Sequence, residues 1–177
     1  IIGFSKRNHF KHSRQPAKGC RVVGITGTGR GTGVTHLSVL AANYMASALQ
    51  RRTAVIEWND HGAWKTMKDI CQAGSVKQAD SADYRYKIFG VTYYMQGDPS
   101  ILASCLGGIY DEIIIDFGEL SPSIRAAWLR REVKFVMAAL SEWKLGAFLE
   151  LLSEEEGRRA GWIYTAAVFP IDLLLFQ

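Results

Sequence analysis

The chain has 177 residues, of which 48% are hydrophobic and 21% charged, ordinary for a globular protein and enough for one domain with a sizeable core. No apolar run approaches the length of a membrane span, because the most apolar stretches are short and broken by Pro170 or Asp172. The net charge of +4 is unevenly spread: nine Lys and Arg precede Glu57, the first acidic residue, so the early chain either carries a solvated basic tail or suits an anionic partner.

Residues 1–18 hold scattered basic residues, His9, His12 and Pro16 without a sustained period, and read as a flexible arm or linker that offers contact to a polyanion. The basic start has no apolar segment behind it, which argues against a signal peptide. The opening Ile1-Ile2 leaves room for a segment before it. Residues 19–177 are expected to form one domain, with truncation at either end left open. An apolar strand over 21–25 runs into glycines and then into a helix over 35–50. Leu37, Leu40, Ala41, Tyr44, Met45 and Ala48 are spaced to form one buried face of that helix. Arg51 and Arg52 follow, where cations complement a C-terminal dipole.

The second strand starts at Thr53 and ends in Glu57-Trp58-Asn59-Asp60. The spacing then predicts a helix over 63–73 with Trp64, Met67, Ile70 and Cys71 on one side, a loop over 74–83, a strand over 87–94 and a short helix over 100–106. Residues 110–118 form an apolar strand with a carboxylate, Asp116, near its C-terminal tip. A helix over 121–131 is opened by Ser121-Pro122, a good cap and first-turn pair. The nearly all-apolar run 133–140 is a strand of the kind buried on both faces. An amphipathic helix over 142–152 carries Trp143, Phe148, Leu149 and Leu152, and a last strand spans 162–169. Alternating strands and helices predict an α/β fold with a doubly wound, mainly parallel sheet and helices on both faces. Cys20, Cys71 and Cys105 have no metal-ligand spacing and read as cytoplasmic thiols.

Gly27, Gly29, Gly31 and Gly33 alternate along the turn between the first strand and the first helix. Glycine permits positive φ and close backbone approach, and a helix N-terminus after such a turn presents N–H groups to phosphate. The alternative is a plain flexible connection. Ligands of parallel α/β sheets sit beyond the carboxyl ends of the strands, so the glycine turn, Glu57 with Asn59, and Asp116 are expected to meet there. Thr35 either gives its hydroxyl to Mg2+ or caps the helix; Asp116 is either a metal-site residue or a turn cap. Arg30 is a cation within the turn that faces either phosphate or solvent. His36, on the first helical turn, either bonds a phosphate or is a plain polar residue.

These segments resemble the MinD/ParA-type ATPases with a deviant Walker A loop. That loop reads K-G-G-x-G-K-T, and Gly29-Arg30-Gly31-Thr32-Gly33-Val34-Thr35 lies on it without a gap. Both lysines are absent: Gly29 stands at the first, which in the family reaches across a dimer, and Val34 at the second. The family's second strand ends D-x-D, where this chain has Glu57-Trp58-Asn59, and its Walker B strand ends I-I-D, matched by Ile114-Ile115-Asp116. The similarity covers roughly residues 21–170. Within the group, the pilus-assembly and polar-localisation proteins called TadZ or CpaE look most similar, having a divergent loop on this fold.

The resemblance implies ATP or ADP with Mg2+ as ligands, and Gly29 through His36 as the nucleotide-binding stretch. It implies Thr35, Asn59 and Asp116 around the metal and Glu57 acting on the attacking water. It further implies a homodimer, protein partners in a localisation, secretion or pilus machinery, and a cytoplasmic place, peripheral to the inner face of the membrane. Loss of the P-loop lysine is expected to reduce turnover on the order of 10²- to 10⁵-fold, so binding with slow or negligible hydrolysis is expected. Two other readings stand beside this one. A dinucleotide-dependent oxidoreductase would use Glu57 on a ribose hydroxyl, but G-x-G-x-x-G cannot be read between Gly24 and Gly33. An assembly scaffold would keep the fold and bind no nucleotide.

Overall fold

A computed structural model describes residues 19–72, 84–139, 141–154 and 162–167. The arm expected over 1–18, the loop expected over 74–83 and the end of the last strand lie outside the described residues. Among the described residues seven strands form one sheet: β1 (Arg21–Gly27), β2 (Thr53–Glu57), β3 (Arg85–Ile88), β4 (Val91–Tyr94), β5 (Glu112–Glu119), β6 (Val133–Ala139) and β7 (Trp162–Ala167). Their spatial order is β3-β4-β2-β5-β1-β6-β7, and every neighbouring pair is parallel except β3 with β4. The helices among the described residues are α1 (Val34–Ser47), α2 (Ala63–Gln72), α3 (Pro99–Leu106), α4 (Pro122–Leu129) and α5 (Glu142–Glu154). This is the doubly wound, mainly parallel sheet that the strand and helix order predicts.

The central strands are apolar without interruption because both of their faces are covered. Along β5 the side chains alternate: Ile113, Ile115 and Phe117 pack with Leu102 and Cys105 of α3, Trp128 of α4 and Leu151 of α5. Ile114 packs on the opposite face with Val34 and Ala42 of α1 and Trp64 of α2. From β1 the chain crosses towards β2 on one side, and after β5 it crosses to β6 on the other. The carboxyl ends of β1, β2 and β5 therefore open on the crevice where ligands of such sheets bind.

Four expectations are corrected in whole or in part. Residues 87–94 form no single strand: Phe89 and Gly90, with φ of 49° and 84°, turn the chain between β3 and β4 into an antiparallel hairpin. Both residues lie in the left-handed region, as a two-residue hairpin turn demands. The buried face of α1 is Val34, Ser38 and Ala42, while Leu40 and Tyr44 are 53% and 57% exposed. Small side chains lie against the sheet, and Ser38 satisfies its hydroxyl on the Val34 carbonyl at 3.0 Å. On the other helices Trp64 is buried and Met67 and Phe148 pack against the core as expected, but Ile70, Cys71, Trp143 and Leu149 are exposed and Leu151 is buried instead. Finally, α1 ends at Ser47, before Arg51 and Arg52, and Arg52 pairs instead with Asp111.

Candidate functional site

The turn after β1 folds back over its own start. A Cβ at Gly27 would collide with the Thr32 hydroxyl and come within 2.9 Å of Val34 Cγ2. Thr32 is buried and donates its hydroxyl to the Gly29 carbonyl at 3.0 Å. Gly31 and Gly33 adopt φ of 75° and 93°, where a side chain would be strained. Gly33 is the N-cap of α1, supplies no side-chain cap, and is followed by a first turn without an acidic residue. The free N–H groups and positive end of the α1 dipole thus lack an acceptor from these positions. They border a cleft of about 470 Å³ lined by the whole stretch from Gly29 to His36, with His61, Trp64, Met67 and Glu119 opposite. Val34, at the position of the family's second lysine, is 6% exposed and packs in the core.

Behind the cleft Thr35 donates its hydroxyl to Asp116 Oδ2 at 2.8 Å. Asp116 Oδ1 accepts from Asn59 Nδ2 at 3.1 Å and from the Gly118 amide at 2.9 Å. Asn59 Nδ2 also donates to the Asp116 carbonyl, and its Oδ1 accepts from the His61 amide. Gly118, with φ of 64°, allows this closeness, since a Cβ there would lie 3.0 Å from Asn59 Cβ and His61 Cε1. Burial raises the pKa of Asp116, while the Thr35 and Gly118 hydrogen bonds and the His61 ring pull it back down. Thr35, Asn59 and Asp116 thus lie together in one hydrogen-bonded cluster.

Glu57 sits opposite Asp116 in the β2–β5 register, buried beneath Ala63 and Trp64 of the cleft wall and not itself lining the cleft. It is 1% exposed, and Oε1 accepts from the Ala63 amide at 2.7 Å, capping the start of α2. Oε2 has no partner among the described residues. Burial, and after it the charge of Asp116, outweigh the α2 amides and push its pKa up to about 7. The exposed Asp60 takes no part in the Asp116 cluster.

The donor set is of the kind that suits Mg2+. A hydroxyl and a carboxylate at 2.8 Å are hard oxygen ligands, the sparse kind that holds Mg2+ together with phosphate oxygens and water. Among the described residues no group of three or more His, Cys, Asp or Glu could form an all-protein cage. The residues fit an ion brought in with phosphate. His61, Trp64, Met67 and Glu119 were missed from sequence: nothing in their spacing marks them, and only the path of α2 and the end of β5 brings them to the cleft.

No family model matches the chain, and no curated protein matches it in sequence. Solved structures do match in shape. A MinC:MinD cell division protein complex from Aquifex aeolicus matches with a TM-score of 0.66 and 12% identity over 89% of this chain and 72% of that one. A plasmid partition protein from Borrelia burgdorferi B31 bound to AMPPNP gives 0.60 and 11%, over 90% and 81%. A ParA family ATPase from Chlorobium tepidum TLS gives 0.57 and 16%, over 82% and 73%. The chain is an α/β protein with a glycine loop at the switch point of its sheet. More narrowly, it has the fold of the MinD and ParA ATPases. No helix among the described residues is long and apolar enough to cross a membrane.

Proposed function

We propose that this protein binds ATP or ADP with Mg2+ at the loop from Gly29 to His36, and that it acts as a nucleotide-dependent switch with slow or negligible hydrolysis. The observation that carries the reading is the Thr35–Asp116 hydrogen bond of 2.8 Å beside the uncapped start of α1. A loop hydroxyl and a strand-tip carboxylate meet where a phosphate-bound ion would stand, and the N–H groups beside them would take the phosphate oxygens. Mg2+, when bound, would bridge phosphate oxygens and neutralise part of their charge. Asn59 would orient Asp116 from the outer shell. The loss of turnover follows from two features. Val34 is buried where a lysine would reach the phosphates, and Glu57 is buried with one carboxylate oxygen engaged at the start of α2.

A switch of this fold would work through dimerisation and through protein partners in a localisation or pilus-assembly machinery, as the resemblance to TadZ and CpaE implies. Equilibrium binding of labelled ATP, ADP and NAD, each with Mg2+ and with chelator, tests the reading; Trp64 in the cleft wall offers a fluorescence signal. ATP and ADP should bind more tightly with Mg2+, and NAD should not compete. Binding of NAD alone would favour the oxidoreductase, and binding of none of them the scaffold.

A further inference from the structure

Gly29 and Val34 stand in place of both family lysines, but a cation from a distant part of the chain reaches the loop. Lys144 lies in the first turn of α5, whose start is fixed by the Lys144 and Leu145 amides donating to the Ser141 carbonyl at 2.9 and 3.0 Å. Its Nζ donates to the Arg30 carbonyl at 3.0 Å, across 114 residues of sequence. The same Nζ lies 3.7 Å from where a Cβ of Gly31 would stand. Among the described residues Lys144 pairs with no carboxylate, so its charge is not neutralised by a neighbour.

We infer that Lys144 is a positioning residue for the phosphate loop, bringing from α5 an ammonium to a loop that holds neither family lysine. Resting on the nucleotide-binding reading above, this names the residue that prepares the site. The Arg30–Gly31 peptide is trans and planar, so its C=O and N–H point in opposite directions. Lys144 does not line the cleft; by drawing the Arg30 carbonyl to its own side it would turn the Gly31 N–H to the opposite side, towards the cleft that Gly31 lines. A charged donor on the carbonyl also polarises the peptide and makes that N–H a better donor to an anion. Glycine suits position 31, because a φ of 75° costs it little and the missing side chain leaves space for the ammonium.

The test compares wild type with Lys144→Met and Lys144→Arg, using Mg·ATP and inorganic tripolyphosphate as probes, with the Gly31 amide followed by NMR in the ligand-free protein. Lys144→Met should weaken both probes by roughly tenfold, the scale of one charge-assisted hydrogen bond. It should also move the Gly31 amide signal and speed its hydrogen exchange, and Lys144→Arg should restore both. Equal binding by wild type and Lys144→Met would overturn the inference and leave nucleotide binding standing. Weaker binding with an unmoved Gly31 amide and a lowered melting temperature would mean that Lys144 only supports α5, and would also overturn it. Failure of wild type to bind either probe would end the nucleotide reading and this inference with it.

Discussion

Replacing Glu57 by Gln should stabilise the protein at neutral and alkaline pH and leave it unchanged in acid. The carboxyl is 1% exposed, with one oxygen unpartnered, and burial is the main force holding its pKa up at about 7 instead of 4.5. Between those values the folded state keeps a proton that the unfolded chain has released. Stability therefore falls as pH rises through that window, and the loss is complete above it. At roughly 1.4 kcal/mol per pH unit, the ionised carboxylate costs the fold about 3 kcal/mol. Asp116, whose pKa is also raised, adds a penalty of the same sign, so only a comparison with Glu57→Gln isolates this group. The amide can still accept from Ala63 through its oxygen. Urea unfolding of both proteins in chelator, from about pH 4 to about pH 8, should give curves that coincide in acid and diverge to about 3 kcal/mol. Parallel curves across the window, or a wild type that gains stability relative to Glu57→Gln as pH rises, would refute the account.

Three other changes probe the site and its scaffold. Asp116→Ala should lower ATP affinity chiefly when Mg2+ is present; equal loss with Mg2+ and with chelator would mean a structural cap, worth about 0.5–2 kcal/mol. Val34→Lys should tighten ATP binding while costing roughly 1.5–3 kcal/mol of stability from the lost core methyls, and unchanged affinity in titration would mean that the loop does not meet phosphate. Trp128→Ala should destabilise by about 3–5 kcal/mol in denaturant unfolding, since Trp128 is fully buried, packs edge-on to Trp162 at 4.6 Å and donates to the Gly24 carbonyl.

Period and punctuation carry most of the fold. Ile113, Ile114 and Ile115 read as part of an apolar strand ending in Asp116, and that is where β5 lies, covered on both faces. The hairpin at Phe89-Gly90 was not legible, because a phenylalanine in the left-handed region lacks the Asn-Gly or Asp-Gly signature. The buried face of α1 was misjudged for a different reason. That helix is apolar on most sides, so periodicity leaves its rotation open; close packing on the sheet selects small Ser38 and Ala42 over Leu40 and Tyr44. In the site, the glycine loop, Thr35 and Asp116 follow from local motifs. The direction of Glu57 and the approach of Lys144 do not, since each depends on where another element starts: α2 for one and α5 for the other.

The replacements in the loop and at the strand ends make sense together. Glu57 and Asp116 face each other on neighbouring parallel strands and are both buried. An aspartate at position 59 would add a third carboxylate, with an oxygen close to Asp116 Oδ1, where Asn59 now places an N–H at 3.1 Å. Two buried carboxylates and a half-buried third need a nearby cation to remain ionised, because like charges and desolvation both disfavour the charged form. With Gly29 and Val34 in the loop, no lysine within it supplies that cation. Asn59 removes one negative charge and adds a donor, so Asp116 is held by Thr35, Asn59 and Gly118 without a lysine in the cleft. Loss of the lysines and loss of the second acid are thus one change in charge balance. On the function proposed above, they would leave a pocket suited to holding a phosphate-bound ion and poorly equipped to stabilise the charge of a phosphoryl group in transfer.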